Sequence, residues 1–214
     1  MYPTGALFFL LSGLSAAAPQ IPVMLSTRDT FTPPKVLSTS FSGNGCPQGA
    51  TAVPISSSWE HFAFTLPGFS AAYGASSPVS TRTVNCQGHL NLGATPGWQF
   101  TLKDLWSTGY LELEGPGVTL TQYVTVYFSQ DAAQTTTTTQ SISSPANATV
   151  SKNLALHAAI PASSLVWSPC SSSGIMNVNF RMAFTSSNQN SRGYYGPGKN
   201  SSVTERWGWT WRRC

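Results

Sequence analysis

Residues 118–128 read Val-Thr-Leu-Thr-Gln-Tyr-Val-Thr-Val-Tyr-Phe, with Val118, Leu120, Val124, Val126 and Phe128 alternating against Thr119, Thr121, Tyr123, Thr125 and Tyr127. A period of two sends successive side chains to opposite faces of an extended chain, and β-branched and aromatic residues favour that conformation. The segment reads as a strand with one buried face. The same alternation runs through residues 84–92, where Val84, Cys86, Gly88, Leu90 and Leu92 oppose Asn85, Gln87, His89 and Asn91. It returns at 176–184, where Met176, Val178, Phe180, Met182 and Phe184 share a face, and at the end of the chain in Trp207, Trp209 and Trp211. Trp98, Phe100 and Leu102 follow the Pro96-Gly97 turn, and weaker strands are expected at 59–66, 110–114 and 153–160. No stretch carries a helical period. Many short strands separated by turn signals predict an all-β chain, folded as a single two-sheet β-sandwich or jelly-roll-like domain over residues 41–214.

The composition agrees with that class. Of 214 residues, 41% are hydrophobic and 12% aromatic, enough for a core, while only 8% are charged. The surface must therefore be covered by Ser, Thr, Asn, Gln and Gly, which suits strands and polar turns better than helices. Net charge is +4, but the eleven Lys and Arg residues are spread singly, with a local excess only at Arg206, Arg212 and Arg213. A nucleic-acid partner needs a basic patch or stripe, and none is visible.

Residues 6–14, Ala-Leu-Phe-Phe-Leu-Leu-Ser-Gly-Leu, run into Ser15-Ala16-Ala17-Ala18. An apolar stretch this short followed by small residues is the pattern of a secretory signal peptide, too short to cross a bilayer of about 30 Å. Cleavage is expected after Ala17, giving a signal peptide over 1–17 and no membrane span. Residues 18–40 include Pro22, Pro33 and Pro34 and have no period, so they read as an extended N-terminal arm.

Four cysteines in an exported chain imply two disulfides. Pairing within each half, Cys46 with Cys86 and Cys170 with Cys214, closes loops of a little over forty residues. The chain-entropy model gives about 4 kcal/mol for each. No Cys-x-x-Cys or His-x-x-x-His spacing occurs, so neither a metal site nor a cofactor is expected. Three polar stretches, 67–80, 131–149 with its run Thr135 to Thr139, and 186–202, read as long loops. The threonine run has the composition of an O-glycosylated segment. The sequons Asn147-Ala148-Thr149 and Asn200-Ser201-Ser202 fall in these loops and mark N-glycosylation at Asn147 and Asn200.

Seven landmarks stand in order along the chain: Gly45-Cys46-Pro47, Asn85-Cys86-Gln87, Pro96-Gly97-Trp98-Gln99-Phe100, Gly109-Tyr110, Val126-Tyr127-Phe128-Ser129, Trp167-Ser168-Pro169-Cys170 and Trp211-Arg212-Arg213-Cys214. In that order and spacing the chain resembles, from about Phe41 to Cys214, a secreted-protein family common in fungi and known as domain of unknown function 4360. It departs from the family in the threonine-rich stretch 131–149 and at Ser171-Ser172-Ser173. The resemblance implies export, a signal peptide and a disulfide-bearing globular domain of about this size. It implies no activity.

Three constellations bear on function. Glu112 and Glu114 lie two apart on an expected strand, so their carboxylates share a face about 6 to 7 Å apart, near the range of a glycosidase pair. Gly115, Pro116 and Gly117 follow at once, which makes a solvent-facing strand end the simpler reading. The three histidines, His61, His89 and His157, accompany no Gly-x-Ser-x-Gly elbow, and none lies near the expected cleavage point, where a copper-dependent oxidative enzyme would need one. Trp207, Trp209 and Trp211 make either a heavy core contribution or a stacking platform for sugar rings. The expectation is a secreted, extracellular, non-enzymatic protein of structural or recognition type. The alternatives are a carbohydrate or cell-wall binding module that uses these tryptophans with Tyr194 and Tyr195, and a secreted hydrolase that uses Glu112 and Glu114.

Overall fold

Strands that each bury one face have to be stacked in two layers, and that is the arrangement found in the computed structural model. It describes residues 31–46, 53–56, 62–145 and 148–214, with the backbone alone at 53–56. The smaller sheet has five antiparallel strands in the order β1 (Val36–Ser42), β5 (Thr83–Leu92), β10 (Gly174–Ser186), β7 (Val118–Phe128) and β8 (Asp131–Ser143). The larger has seven, running β2 (Val53–Ser56), β3 (Phe62–Leu66), β12 (Val203–Arg213), β6 (Trp98–Glu114), β11 (Arg192–Gly196) and β4 (Ala71–Tyr73), with β9 (Val150–Ala159) paired along the other side of β6. No helix among the described residues is long and apolar enough to cross a membrane.

The inward faces are those that the alternation selects. Leu90, Leu92, Val124, Val126, Met176, Phe180 and Met182 of the smaller sheet pack against Phe64, Leu66, Leu102, Leu105, Leu111 and Leu113 of the larger. Strand β6 needs one irregularity to do this, because Leu102 and Leu105 both point inward although they differ in parity. Opposite it on β12, Gly208 pairs with Asp104 and Trp209 with Leu102, leaving Lys103 as the extra residue of a bulge. A bulge restores the face that a strict two-residue period would have inverted. Trp207 and Trp209 both reach the core as a result, at 1% and 6% exposure. They meet Phe64 at 4.8 Å and Phe62 at 6.2 Å between ring centroids.

The expected long loops are corrected in three places. Within the stretch 131–149, residues 131–143 are not a loop but form β8, in register with β7 from Tyr127 opposite Thr135 to Thr119 opposite Ser143. On the parity of Thr136, its one buried residue, Thr138 and Gln140 also carry hydroxyl and amide groups and Ile142 alone an alkyl chain, so no hydrophobic period signals it. Threonine is nonetheless β-branched and fits a pleated ladder. Strand β11 lies within 186–202 and β4 within 67–80, both too short to show a period. At the N-terminal side, the expected boundary between arm and domain at residue 40 falls inside β1, which pairs with β5.

Two disulfides join strands to their flanks, Cys46 to Cys86 and Cys170 to Cys214, with Cα atoms 5.2 and 5.8 Å apart. The second holds the last residue beside the 95–98 turn, where the Cys214 amide donates to the Gly97 carbonyl at 3.2 Å.

Between the sheets lies a polar cluster. Glu205 of β12 is 4% exposed and accepts a hydrogen bond at Oε2 from the Trp207 indole N–H at 2.9 Å. Ser107 donates to the Gln122 side-chain carbonyl at 3.3 Å across the layers, and the Tyr195 phenol is buried beside them. Gly109 makes room for that ring, since a Cβ there would lie 2.8 Å from it. Burial pushes the pKa of Glu205 up to about 8, against the opposing pull of the Trp207 hydrogen bond. Tyr195 is raised as well, by burial first, with the neighbouring Glu205 adding to it.

Two measurements follow from this architecture. Cys214→Ser should destabilise the fold by about 2 to 5 kcal/mol and lower secretion yield, because an unanchored final strand frays. A wild-type melting temperature in that variant would show the bridge to be dispensable. The second concerns pH. Between the ordinary carboxyl value of 4.5 and the folded value of about 8, the folded chain keeps a proton on Glu205 that the unfolded chain has lost. Folding then binds the extra proton, so this contribution to stability falls as pH rises through that window and changes no further above it. Denaturation at several pH values should show Glu205→Gln to be less sensitive to pH than the wild type between these limits. Equal slopes in the two proteins would rule out a neutral Glu205.

Candidate functional site

The bulge at Lys103 decides which residues β6 turns outward. Beyond it Leu105, Ser107, Gly109, Leu111 and Leu113 face the core, and Trp106, Thr108, Tyr110 and Glu112 face outward. Strand β9 flanks this row on one side, with Asn153 opposite Tyr110 and Ser151 opposite Glu112. Strand β11 flanks it on the other, with Tyr194 opposite Glu112. The chain leaving β11 then folds over the row in a tight turn, where the Ser201 amide approaches the Gly198 carbonyl at 3.5 Å and the Ser201 hydroxyl accepts from the Gly198 amide at 3.3 Å.

These elements enclose an open cleft of about 610 Å³ with Tyr110, Glu112, Asn153, Tyr194, Lys199 and Asn200 in its wall. The two tyrosine rings stand 6.5 Å apart at 50° to each other. Each is held by its hydroxyl: Tyr110 to Ser151 Oγ at 2.6 Å, and Tyr194 donating to the Pro197 carbonyl at 3.1 Å. Partial burial raises the Tyr194 pKa, so its phenol stays protonated and able to donate. Gly196 is required beside it, because a Cβ there would lie 2.5 Å from the Tyr194 hydroxyl. The cleft therefore combines two fixed aromatic faces with one carboxylate, one ammonium and two carboxamides, a mixture suited to a ligand that is apolar on its faces and rich in hydroxyls at its rim.

The residues singled out in the sequence divide around this site. Glu112 lines the cleft, whereas Glu114 pairs opposite Arg192 at the strand end and does not. A two-carboxylate mechanism needs both groups on one ligand, and the cleft wall presents one of this pair. Tyr194 and Tyr195, adjacent in sequence, point to opposite faces, one into the cleft and the other into the core. Asn200 is exposed on the turn over the cleft, and Asn147 lies outside the described residues.

The tryptophan platform is corrected: Trp207 and Trp209 are inside the sandwich, and only Trp211 emerges, at 41% exposure. The first two indoles lie between the sheets, whereas the third, opposite Phe100 in the ladder, is left at the surface. Trp211 stacks on Phe31 at 4.3 Å, and Phe31 in turn meets Trp98 edge-on at 5.5 Å. Arg212 lies 4.2 Å over Trp167 at one side of a second groove of about 530 Å³. Trp106, the one tryptophan on the outer row of β6 beyond the bulge, has its ring taken by His157, stacked at 4.0 Å, and His157 lies 3.6 Å from Asp104. His89 is bound on both nitrogens, to Asn177 at 2.6 Å and Ser42 at 3.2 Å. His61 lies outside the described residues.

Asn153 and Lys199 carry no signal in the sequence, and Tyr110 stands out there only in the Gly109-Tyr110 landmark and at the head of the weak strand 110–114, neither of which marks it as a site residue. Nothing nearby in sequence connects it to Asn153 or Lys199.

Residues 33–214 match the family model described as Domain of unknown function (DUF4360). The chain belongs to that family. A curated relative, an uncharacterized secreted protein of Arthroderma benhamiae, is 30% identical over 158 residues, which is 74% of this chain and 62% of the relative. The chain thus spans less than two thirds of the relative's length. Among solved structures, TmCBM61 in complex with beta-1,4-galactotriose is similar over 84% of this chain and 91% of its own, at 9% identity and a TM-score of 0.24, too low to bear on the site. This DUF4360 protein is secreted, as its relative is, and its two disulfides suit an oxidising compartment.

Proposed function

We propose that this protein is a non-enzymatic extracellular recognition protein that binds a polysaccharide or cell-wall glycan chain in the cleft between Tyr110 and Tyr194. One observation carries the reading: two tyrosine rings fixed 6.5 Å apart in an open cleft whose rim holds Glu112, Asn153, Lys199 and Asn200. Pyranose rings offer C–H faces to aromatic side chains and hydroxyls to carboxylate and carboxamide groups, and a volume of about 610 Å³ lies within the usual range for ligand sites. In this reading residues 1–17 are the signal peptide, and Asn147 and Asn200 are N-glycan acceptors.

Retention on insoluble chitin and β-glucan tests the proposal. The wild type should be held by one of them, and Tyr110→Ala with Tyr194→Ala should bind at least tenfold more weakly, about 1.4 kcal/mol. Glu114→Gln, outside the cleft, should bind as the wild type does. Failure of both polymers to retain the wild type, or undiminished binding by the double variant, would sink the reading.

The position of Asn200 generates a separate expectation. An N-glycan on a residue of the cleft wall would stand in its mouth and compete with a bound chain. Ser202→Ala abolishes the sequon while keeping the Asn200 side chain, so it should bind the retained polymer more tightly than the glycosylated wild type. Weaker or unchanged binding would separate Asn200 glycosylation from the site.

A further inference from the structure

Among the described residues, strand β8 is the outermost strand of the smaller sheet and pairs only with β7. An edge strand presents unpaired amides and carbonyls to any other strand that approaches, and proteins commonly blunt such edges with lysines, prolines or bulges. Residues 135–143, Thr-Thr-Thr-Thr-Thr-Gln-Ser-Ile-Ser, contain no charge, proline or glycine, and the one shift of register lies before them, between Tyr127 and Phe128 of β7. High β-propensity with no charge and no proline is also the signature of a segment that stacks with copies of itself. The edge needs another kind of cover.

What β8 offers instead is hydroxyls in one outward rank. Thr135, Thr137, Thr139, Ser141 and Ser143 are exposed, whereas Thr136 is buried and Thr138 is turned towards β9, where its hydroxyl donates to the Ala159 carbonyl at 2.9 Å. Thr137 shares a hydrogen bond with Thr125 at 2.8 Å, Ser141 with Thr121 at 2.9 Å and Ser143 with Thr119 at 2.8 Å. Thr135 and Thr139 stand opposite Tyr127 and Tyr123, with no side-chain partner among the described residues. A sugar attached at either would lie beside a phenol ring at cross-strand range, about 5 Å.

We propose that Thr135, Thr137 and Thr139 are O-glycosylated, so that sugar rather than charge shields the β8 edge. In the transfer, each Oγ1 attacks the anomeric carbon of a glycosyl phosphate donor bound to a transferase of the secretory pathway. The new carbon–Oγ1 bond replaces the bond from that carbon to the phosphate oxygen. The hydroxyl proton passes to a base of the transferase, and the phosphate leaves with the bonding pair. Composition alone treats the five threonines of 135–139 as equivalent. The strand geometry divides them into three acceptors and two non-acceptors.

The natively secreted protein, freed of N-linked glycans and digested with trypsin, yields residues 104–152 as one peptide between Lys103 and Lys152. Electron-transfer fragmentation of that peptide should place hexose on Thr135, Thr137 and Thr139 and none on Thr136 or Thr138. A peptide at its unmodified mass, or sugar on Thr136 or Thr138, overturns the proposal. For the shielding role, the triple variant Thr135→Ala, Thr137→Ala, Thr139→Ala should lose that sugar mass and elute in part as dimers and larger species. Thr136→Val should keep both the sugar and the monomer. A sugar-free triple variant that stays fully monomeric would overturn the shielding role.

Discussion

Strand β6 cannot run through its 17 residues with one parity, because Leu102 and Leu105 both have to reach the core. The extra residue at Lys103 resolves the conflict, and much of the molecule follows from it. On the partner strand it allows Trp207 and Trp209 to stay inward while keeping their ladder with β6. Beyond it, odd-numbered residues of β6 face the core and even-numbered ones face out. Tyr110 and Glu112 belong to the cleft for that reason alone. With no bulge, the same strand would present Leu111 and Leu113 to solvent and bury a carboxylate in their place.

The interior is not uniformly apolar, and its polar part sits where the two sheets meet around β12. Glu205 is tolerated there in its neutral form, hydrogen-bonded by the Trp207 indole, with Ser107, Gln122 and Tyr195 nearby. A charged carboxylate in the same place would have no cation to pair with among these neighbours, and desolvation would disfavour it strongly. Polar groups from both sheets thus specify how β12 and β6 sit against β7, while the surrounding leucines and aromatics supply the bulk of the burial. The price of that specificity is a core whose stability depends on pH.

The perimeter is secured by different means on different sides. The disulfides hold the 42–46 turn against β5 and the final strand against the segment before β10. Phe31 stacks on the exposed Trp211 near the end of the last strand. The turn after β11 doubles back over β6 and makes a cleft out of what would otherwise be a flat sheet face. Each of these unites residues far apart in the chain, and each depends on side chains that a local pattern does not distinguish from ordinary surface.

That difference marks how much could be read in advance. Wherever apolar residues alternate, as in 84–92, 118–128 and 176–184, the strand and its buried face were legible, because period two and burial are the same fact seen along and across the chain. The all-β class, the two-layer arrangement and the family landmarks were legible with it. Residues 131–143 were not, since an edge strand with hydroxyls on both faces leaves no hydrophobic alternation to read. The three closing tryptophans share one parity in the sequence, and only the packing of the folded chain separates the two in the core from Trp211, which stacks on Phe31 at the surface. The cleft was likewise beyond sequence, because Tyr110, Asn153, Tyr194 and Lys199 are brought together by strand register and by a bulge. The sequence by itself determined the class of fold and the strands with a greasy face, which are local consequences of side-chain period. The tertiary structure alone decided the bulge, the edge and the cleft, which arise from pairing between distant segments.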